Sequence, residues 1–123
     1  MRPYSDFPDF KQLYLEDSYV KQISLDPKRI SLIIEAVILK DHPLFSEPRC
    51  GEKYCYRDVR LSFHSVKTCE WKNFSWPLHV PDDGMEQDFG NMDWLYYDEG
   101  LFYFGGDFGE IIVSCDLPIL EFI

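Results

Sequence analysis

The sequence predicts a mainly β protein (or α+β, with at most one or two short helices): an antiparallel sheet, sandwich or partial barrel that ends in a C-terminal meander. Three observations point there. Aromatic residues make up 17% of the chain, whereas alanine, the strongest helix former, occurs only at Ala36. From Asp58 to His64 the alternation is clean, with Val59, Leu61 and Phe63 on one side and Asp58, Arg60, Ser62 and His64 on the other. Strand-like runs elsewhere are separated by Gly, Pro, Asp and Asn. At 123 residues the chain is most simply one domain, residues 1–123, whose single core hides roughly two thirds of the unfolded surface.

The elements follow in order. "PDFKQLYL" reads as one short helix with Pro8 in its first turn. "YVKQISL" and "RISLIIEAVILK" flank "DPKR", where Pro27 suits a type I turn, so the pair reads as a hairpin with Ile30, Leu32, Ile34, Ala36 and Ile38 on the core face. Residues 41–54 hold two prolines and a glycine and form a long loop. After the 58–64 strand, a further strand covers Val66 to Trp71, its inward face changing at a bend near Ser65. Residues 73–87, with Pro77, Pro81 and "PDDGMEQD", form a second long loop.

The last third is the meander. "NMDWLYY" meets "LFYF" across a three-residue loop "DEG", and "EIIVSC" follows across "GGDFG". "LPILEFI" adds an edge strand, because Pro118 is unwelcome in a central one. On the first meander strand Asp93, Leu95 and Tyr97 share one face, and Met92, Trp94 and Tyr96 the other. If the hairpin at Asp98 to Gly100 stays in register, Asn91 faces Asp107 and Gly90 faces Phe108.

Charge is the most informative quantity. The net charge is −10, yet residues 1–72 hold 12 Lys+Arg against 11 Asp+Glu, while residues 73–123 hold 11 Asp+Glu and no Lys or Arg. Such a segment repels phosphate backbones and anionic lipid, so nucleic acid and membranes are excluded as direct partners. Cations remain: a metal ion, or a basic protein surface steered in by the field. No run approaches the ~20 apolar residues of a membrane span, and "MRPYSDFPDF" has no apolar signal core, so a cytoplasmic protein is expected.

In that reducing setting Cys50, Cys55, Cys69 and Cys115 are read as thiols. Cys50-x4-Cys55 with His42 and His64 is one loose pair with scattered neighbours, unlike the two tight pairs of a structural zinc site.

The tripeptide DFG occurs twice, at Asp88 and at Asp107, and in protein kinases it holds magnesium. Here neither the Gly-rich loop nor the catalytic loop of a kinase accompanies it. The register instead makes the two copies neighbours: glycines that turn, phenylalanines that anchor, and aspartates that cap backbone N–H groups near Glu110. "DDGMEQDFGNMD" lacks the ligand order of a calcium loop, nothing selects one glycosidase-like carboxylate pair from 22 acids, and no serine or cysteine lies in a nucleophile motif such as GxSxG. His64 reads as an ordinary surface histidine.

The runs "HPLF", "GEKYCYRDVRLSF", "EW", "DFGNMDW" and "GDFGE", across residues 30–116, resemble a family of small, largely uncharacterised bacterial proteins. In type, a small, strongly acidic domain without a catalytic signature is similar to the immunity proteins of interbacterial toxin systems. The resemblance implies an inhibitor that covers the working surface of a basic toxin, often a nuclease, and it carries no residue roles with it.

The expectation is therefore a non-catalytic acidic binding protein without a cofactor. Its partner-binding residues are Asp82, Asp83, Glu86, Asp88, Asp93, Asp98, Glu99 and Asp107 for steering and ion pairing, with Trp94 and Tyr97 as aromatic anchors. The competing expectations are a small metal-dependent or carbohydrate-active enzyme using the carboxylates near the DFG copies, and a β-barrel enclosing an apolar ligand.

Overall fold

A computed structural model describes residues 2–72 and 89–123. The described residues form nine strands: β1 (Arg2–Pro3), β2 (Leu13–Asp26), β3 (Arg29–Ile38), β4 (Cys55–His64), β5 (Thr68–Lys72), β6 (Asn91–Asp98), β7 (Leu101–Gly106), β8 (Gly109–Ser114) and β9 (Ile119–Phe122). All pairings are antiparallel, and the sheet runs β5-β8-β7-β6-β2-β3-β4-β9, with β1 beside β6. The mainly β expectation holds. No helix among the described residues is long and apolar enough to cross a membrane.

The short helix expected over "PDFKQLYL" is not formed. Only Tyr4–Asp6 and Pro8–Phe10 make single 3-10 turns, and from Leu13 the chain is strand. Tertiary burial overrides the local signal: Phe10, Leu13 and Leu15 all enter the core, with Gln12 at φ 63 redirecting the backbone between them.

β2 and β3 form the expected hairpin, and Ile30, Leu32, Ile34, Ala36 and Ile38 are all buried. Val59, Leu61 and Phe63 of β4 face them from the neighbouring strand. Phe63 also stacks on Phe104 of β7, with ring centroids 5.0 Å apart and planes 1° from parallel. Four strand steps separate β4 from β7 within the sheet, ~19 Å if it were flat. The sheet is therefore rolled onto its own apolar face, and among the described residues β5 and β9 end the strand order.

Three backbone bonds fix the segment between β4 and β5 and the segment before β9. Val66 N–H donates to the Lys28 carbonyl (3.1 Å), Lys67 N–H to Ser114 (2.7 Å), and Asp116 N–H to His64 (3.2 Å). The bend expected near Ser65 is present, with Ser65 at φ 54, and the strand expected over Val66 to Trp71 is β5, Thr68–Lys72, which pairs with β8. β9 is the edge strand expected at Pro118.

The meander forms with tighter turns than expected. Asp98 pairs with Leu101, so the loop is two residues, Glu99 (φ 48) and Gly100 (φ 86), the positive angles of a type I′ turn. β7 and β8 likewise reverse through Asp107 and Phe108 alone.

Tyr4 closes the amino-terminal layer. Its hydroxyl donates to the Glu16 carboxylate and accepts the Leu15 N–H at 3.0 Å. Tyr4→Phe leaves that buried N–H without an acceptor, so a loss of about 1–3 kcal/mol in urea unfolding is expected.

Candidate functional site

The charge asymmetry of the sequence becomes spatial because β6, β7 and β8 are consecutive in the chain and adjacent in the sheet. These three strands carry Asp93, Asp98 and Glu110 and no basic residue, while Glu99 and Asp107 occupy their turns. The β2-β3-β4 half is charge-compensated instead. There Lys21 Nζ lies 2.9 Å from Asp58 and 3.7 Å from Glu35, beside a polar cleft of about 560 Å³ also lined by Arg49 and Arg57.

The outer face of the meander is built in rows. Pairing places Trp94, Gly105 and Glu110 in one row, Tyr96, Tyr103 and Ile112 in the next, and Asp98, Leu101 and Ser114 in the third. Their opposites on the core face are Leu95, Phe102, Phe104, Ile111 and Val113, all buried. Tyr96 and Tyr103 stack at 4.8 Å and 11°. Burial first, and then the Glu110 carboxylate, pushes the Tyr96 phenol above its usual range.

Trp94 reaches two strands across the sheet, and its indole Nε1–H donates to Glu110 at 3.0 Å. Gly105 makes this possible: a Cβ there would lie 2.3 Å from Trp94 Cζ2 and 2.5 Å from the Gly109 carbonyl oxygen. The indole thus lies over β7 where a side chain would otherwise stand. Gly105→Ala is expected to lift the ring, shift the tryptophan emission, and cost about 1–3 kcal/mol of stability. An unchanged spectrum and unchanged unfolding midpoint would show that the ring is not held this way.

The faces expected for 92–97 are only half right. A bulge between Met92 and Trp94 buries Met92 and Leu95 alike, so Met92 is core rather than a companion of Trp94. Tyr97 is not a surface anchor as expected: it packs inward against Phe7 (5.9 Å) and Phe102 (4.9 Å). Trp94 is on the outer face, joined there by Tyr96, Tyr103 and Glu110. Tyr103 and the bonding role of Glu110 escaped the sequence reading. Their signal was the sum of 199 for paired residues in the first hairpin and 215 in the second, which becomes usable once each turn is known to be two residues long.

The acidic residues divide. Asp98 and Glu99 stand at one end of the hairpin and Asp93 and Asp107 at the other, ~17 Å apart along the strand. Asp82, Asp83, Glu86 and Asp88 lie outside the described residues, so the first DFG is described only from Phe89. The expected neighbourhood of the two copies is present: the Asp107 carboxylate accepts Asn91 N–H at 2.9 Å, Asp107 N–H donates to the Asn91 carbonyl at 3.1 Å, and both Phe89 and Phe108 are buried.

Asp93 is pressed by neighbours. Partial desolvation, then the carboxylates of Asp107 and Asp17, raise its pKa above the usual range. In the window between the unfolded value, near 3.8, and the raised folded value, the folded state binds more protons. Stability from this group is full below that window and lost as pH rises through it. Asp93→Asn is expected to stabilise the protein at pH 7 and to be neutral near pH 3, a difference readable from paired thermal melts.

Among the described residues no group of three or more His, Cys, Asp or Glu side chains could hold a metal ion. Cys55 is buried against the Ser46 hydroxyl while Cys50 is exposed, and all four cysteines are free thiols. No protein-family model, curated protein or solved structure matches the chain.

Proposed function

We propose that the protein is a non-catalytic binding protein of the immunity type, which acts in the cytoplasm by docking on a basic protein toxin such as a nuclease. One observation supports the reading: the outer face of β6-β7-β8 joins an aromatic set, Trp94, Tyr96 and Tyr103, to Asp98, Glu99 and Glu110, with no cation on these three strands and Lys72 of the adjoining β5 paired with Glu110 at the margin. Aromatic side chains immobilised before contact lose little entropy on binding, and carboxylates around them steer a basic surface into place. A Lys or Arg from the partner would find both a ring face and a carboxylate there.

The test pairs the chain with the product of the gene adjacent to its own. Protection of growth on co-expression is the expected result, together with an association rate that falls steeply with salt. Changing Asp93, Asp98 and Glu99 together to lysine is expected to slow association on the order of tenfold or more at low salt and to flatten the salt dependence. Trp94→Ala and Tyr103→Ala should each weaken the complex by about 2 kcal/mol, chiefly through faster dissociation. Association rates that ignore the triple reversal overturn the reading.

A further inference from the structure

On the other half of the sheet, outside the meander face, lies a second aromatic cleft. Pairing sets Tyr14, Val37 and Tyr56 in one row across β2, β3 and β4. Tyr54 stands just before β4, its ring edge-on to Tyr56 at 6.2 Å and 87°. With Leu39, Glu16 and Asp17 these residues line a cleft of about 400 Å³. Tyr14, Tyr54 and Tyr56 are 45%, 46% and 36% exposed, so their rings are surface groups rather than core.

Two features give the cleft a charge preference. The register of β2 breaks between Tyr14 and Tyr19, and the residues in that break include Glu16 and Asp17, with Asp17 at φ 62. The bulge delivers two carboxylates to a rim otherwise made of rings and aliphatic groups. Tyr4 holds the Glu16 carboxylate by a hydrogen bond from its hydroxyl. In addition, a cation of the chain itself already lies over one of these rings: Lys53 Nζ is 5.8 Å from the Tyr54 centroid.

We infer that this cleft receives an arginine side chain of a protein partner. A guanidinium is planar, stacks on tyrosine faces, is weakly hydrated, and presents a fork of N–H donors that fits a carboxylate. An ammonium answers the charge but does not stack, and an apolar group would strip water from Glu16 and Asp17 without repayment. Anions are repelled by the same two groups and by the acidic net charge of −10. The inference shares with the proposed function the premise of a basic partner, and its Asp17 carboxylate neighbours Asp93 of β6, but its rings belong to the β2-β3-β4 half of the sheet and it is measured without that partner.

The experiment titrates the isotope-labelled full chain with Nα-acetyl-arginine amide and follows the tyrosine ring signals by NMR. Saturable shifts confined to Tyr14, Tyr54 and Tyr56 are expected, with half-saturation in the millimolar range, roughly what one stacked and ion-paired group supplies. Asp17→Asn keeps a residue that tolerates positive φ and removes the charge, so the fold is retained while affinity falls about fivefold or more. Tyr56→Leu should weaken it similarly with the remaining spectrum unchanged. Nα-acetyl-citrulline amide, nearly the same shape without the charge, should give no saturable shift. Equal response to the citrulline compound, absence of saturation, or indifference to both substitutions overturns the inference, whatever becomes of the meander face.

Discussion

Phe63→Ala is expected to destabilise the protein by about 3–5 kcal/mol, a large part of the 5–15 kcal/mol that a domain of this size has in total. Phe63 is fully buried, and its ring touches Phe104 at 5.0 Å and Phe102 at 5.5 Å. Those partners belong to β7, while Phe63 belongs to β4, so its contacts hold together the two halves of the rolled sheet. Removing the ring leaves a cavity that strands on either side cannot collapse into without unrolling. The measurement is chemical unfolding followed by far-UV dichroism; a loss under about 1 kcal/mol would mean that the roll is held elsewhere. Leu61→Ala, equally buried on the same strand, is the comparison for plain burial loss.

Gly106→Ala is the second large effect. A Cβ at Gly106 would lie 2.0 Å from the Asn91 carbonyl oxygen and 3.0 Å from Asp93 N. These are all backbone atoms, and the nearest is closer than the 2.5 Å between a Cβ at Gly105 and the Gly109 carbonyl oxygen. The same carbonyl accepts Asp107 N–H, so moving it also loosens the junction between the second DFG and β6. The expected loss is about 3 kcal/mol, the upper part of the range for overpacking, with reduced amide protection at Asp107. A variant as stable as the parent would show that the strand ends give way more easily than their hydrogen bonds imply. The consequence for the site is direct, because the bulge beside Gly106 sets which residues of β6 face outward.

Much of this was legible in the sequence. Period-two alternation identified the core faces of β3 and β4 because the apolar side of each strand is fully buried and the other, apart from the paired Ser31 and Ser62, is not, so the pattern carries the information locally. The adjacency of the second DFG to the residues that follow the first was legible, since a hairpin's register follows from its turn, and the second copy forms a turn as expected; Asp88 of the first lies outside the described residues. The turn itself was misjudged by one residue: Glu99 adopts a positive φ that its residue type does not advertise. The helix over residues 8–15 failed for a similar reason, because a burial demand from distant strands outweighed a proline-led helix start.

The site was less legible. Tyr97 and Trp94 are both aromatic and nearly adjacent, and no letter in the sequence says that one packs on Phe7 while the other lies across Gly105 toward Glu110. The bulge at Asp93 decides it. The cleft at Tyr14, Tyr54 and Tyr56 was invisible altogether, since its residues come from three strands separated by up to 42 positions.

What the sequence alone determined is the antiparallel β class, the core faces of the long strands, and the separation of charge between residues 1–72 and 73–123. Each is a property of neighbours in the chain. What only the tertiary structure decided is the rolling of the sheet, which aromatic residues reach its outer face, and which carboxylates meet them. Those depend on where strands distant in sequence are placed side by side, and on single-residue bulges that turn a face over.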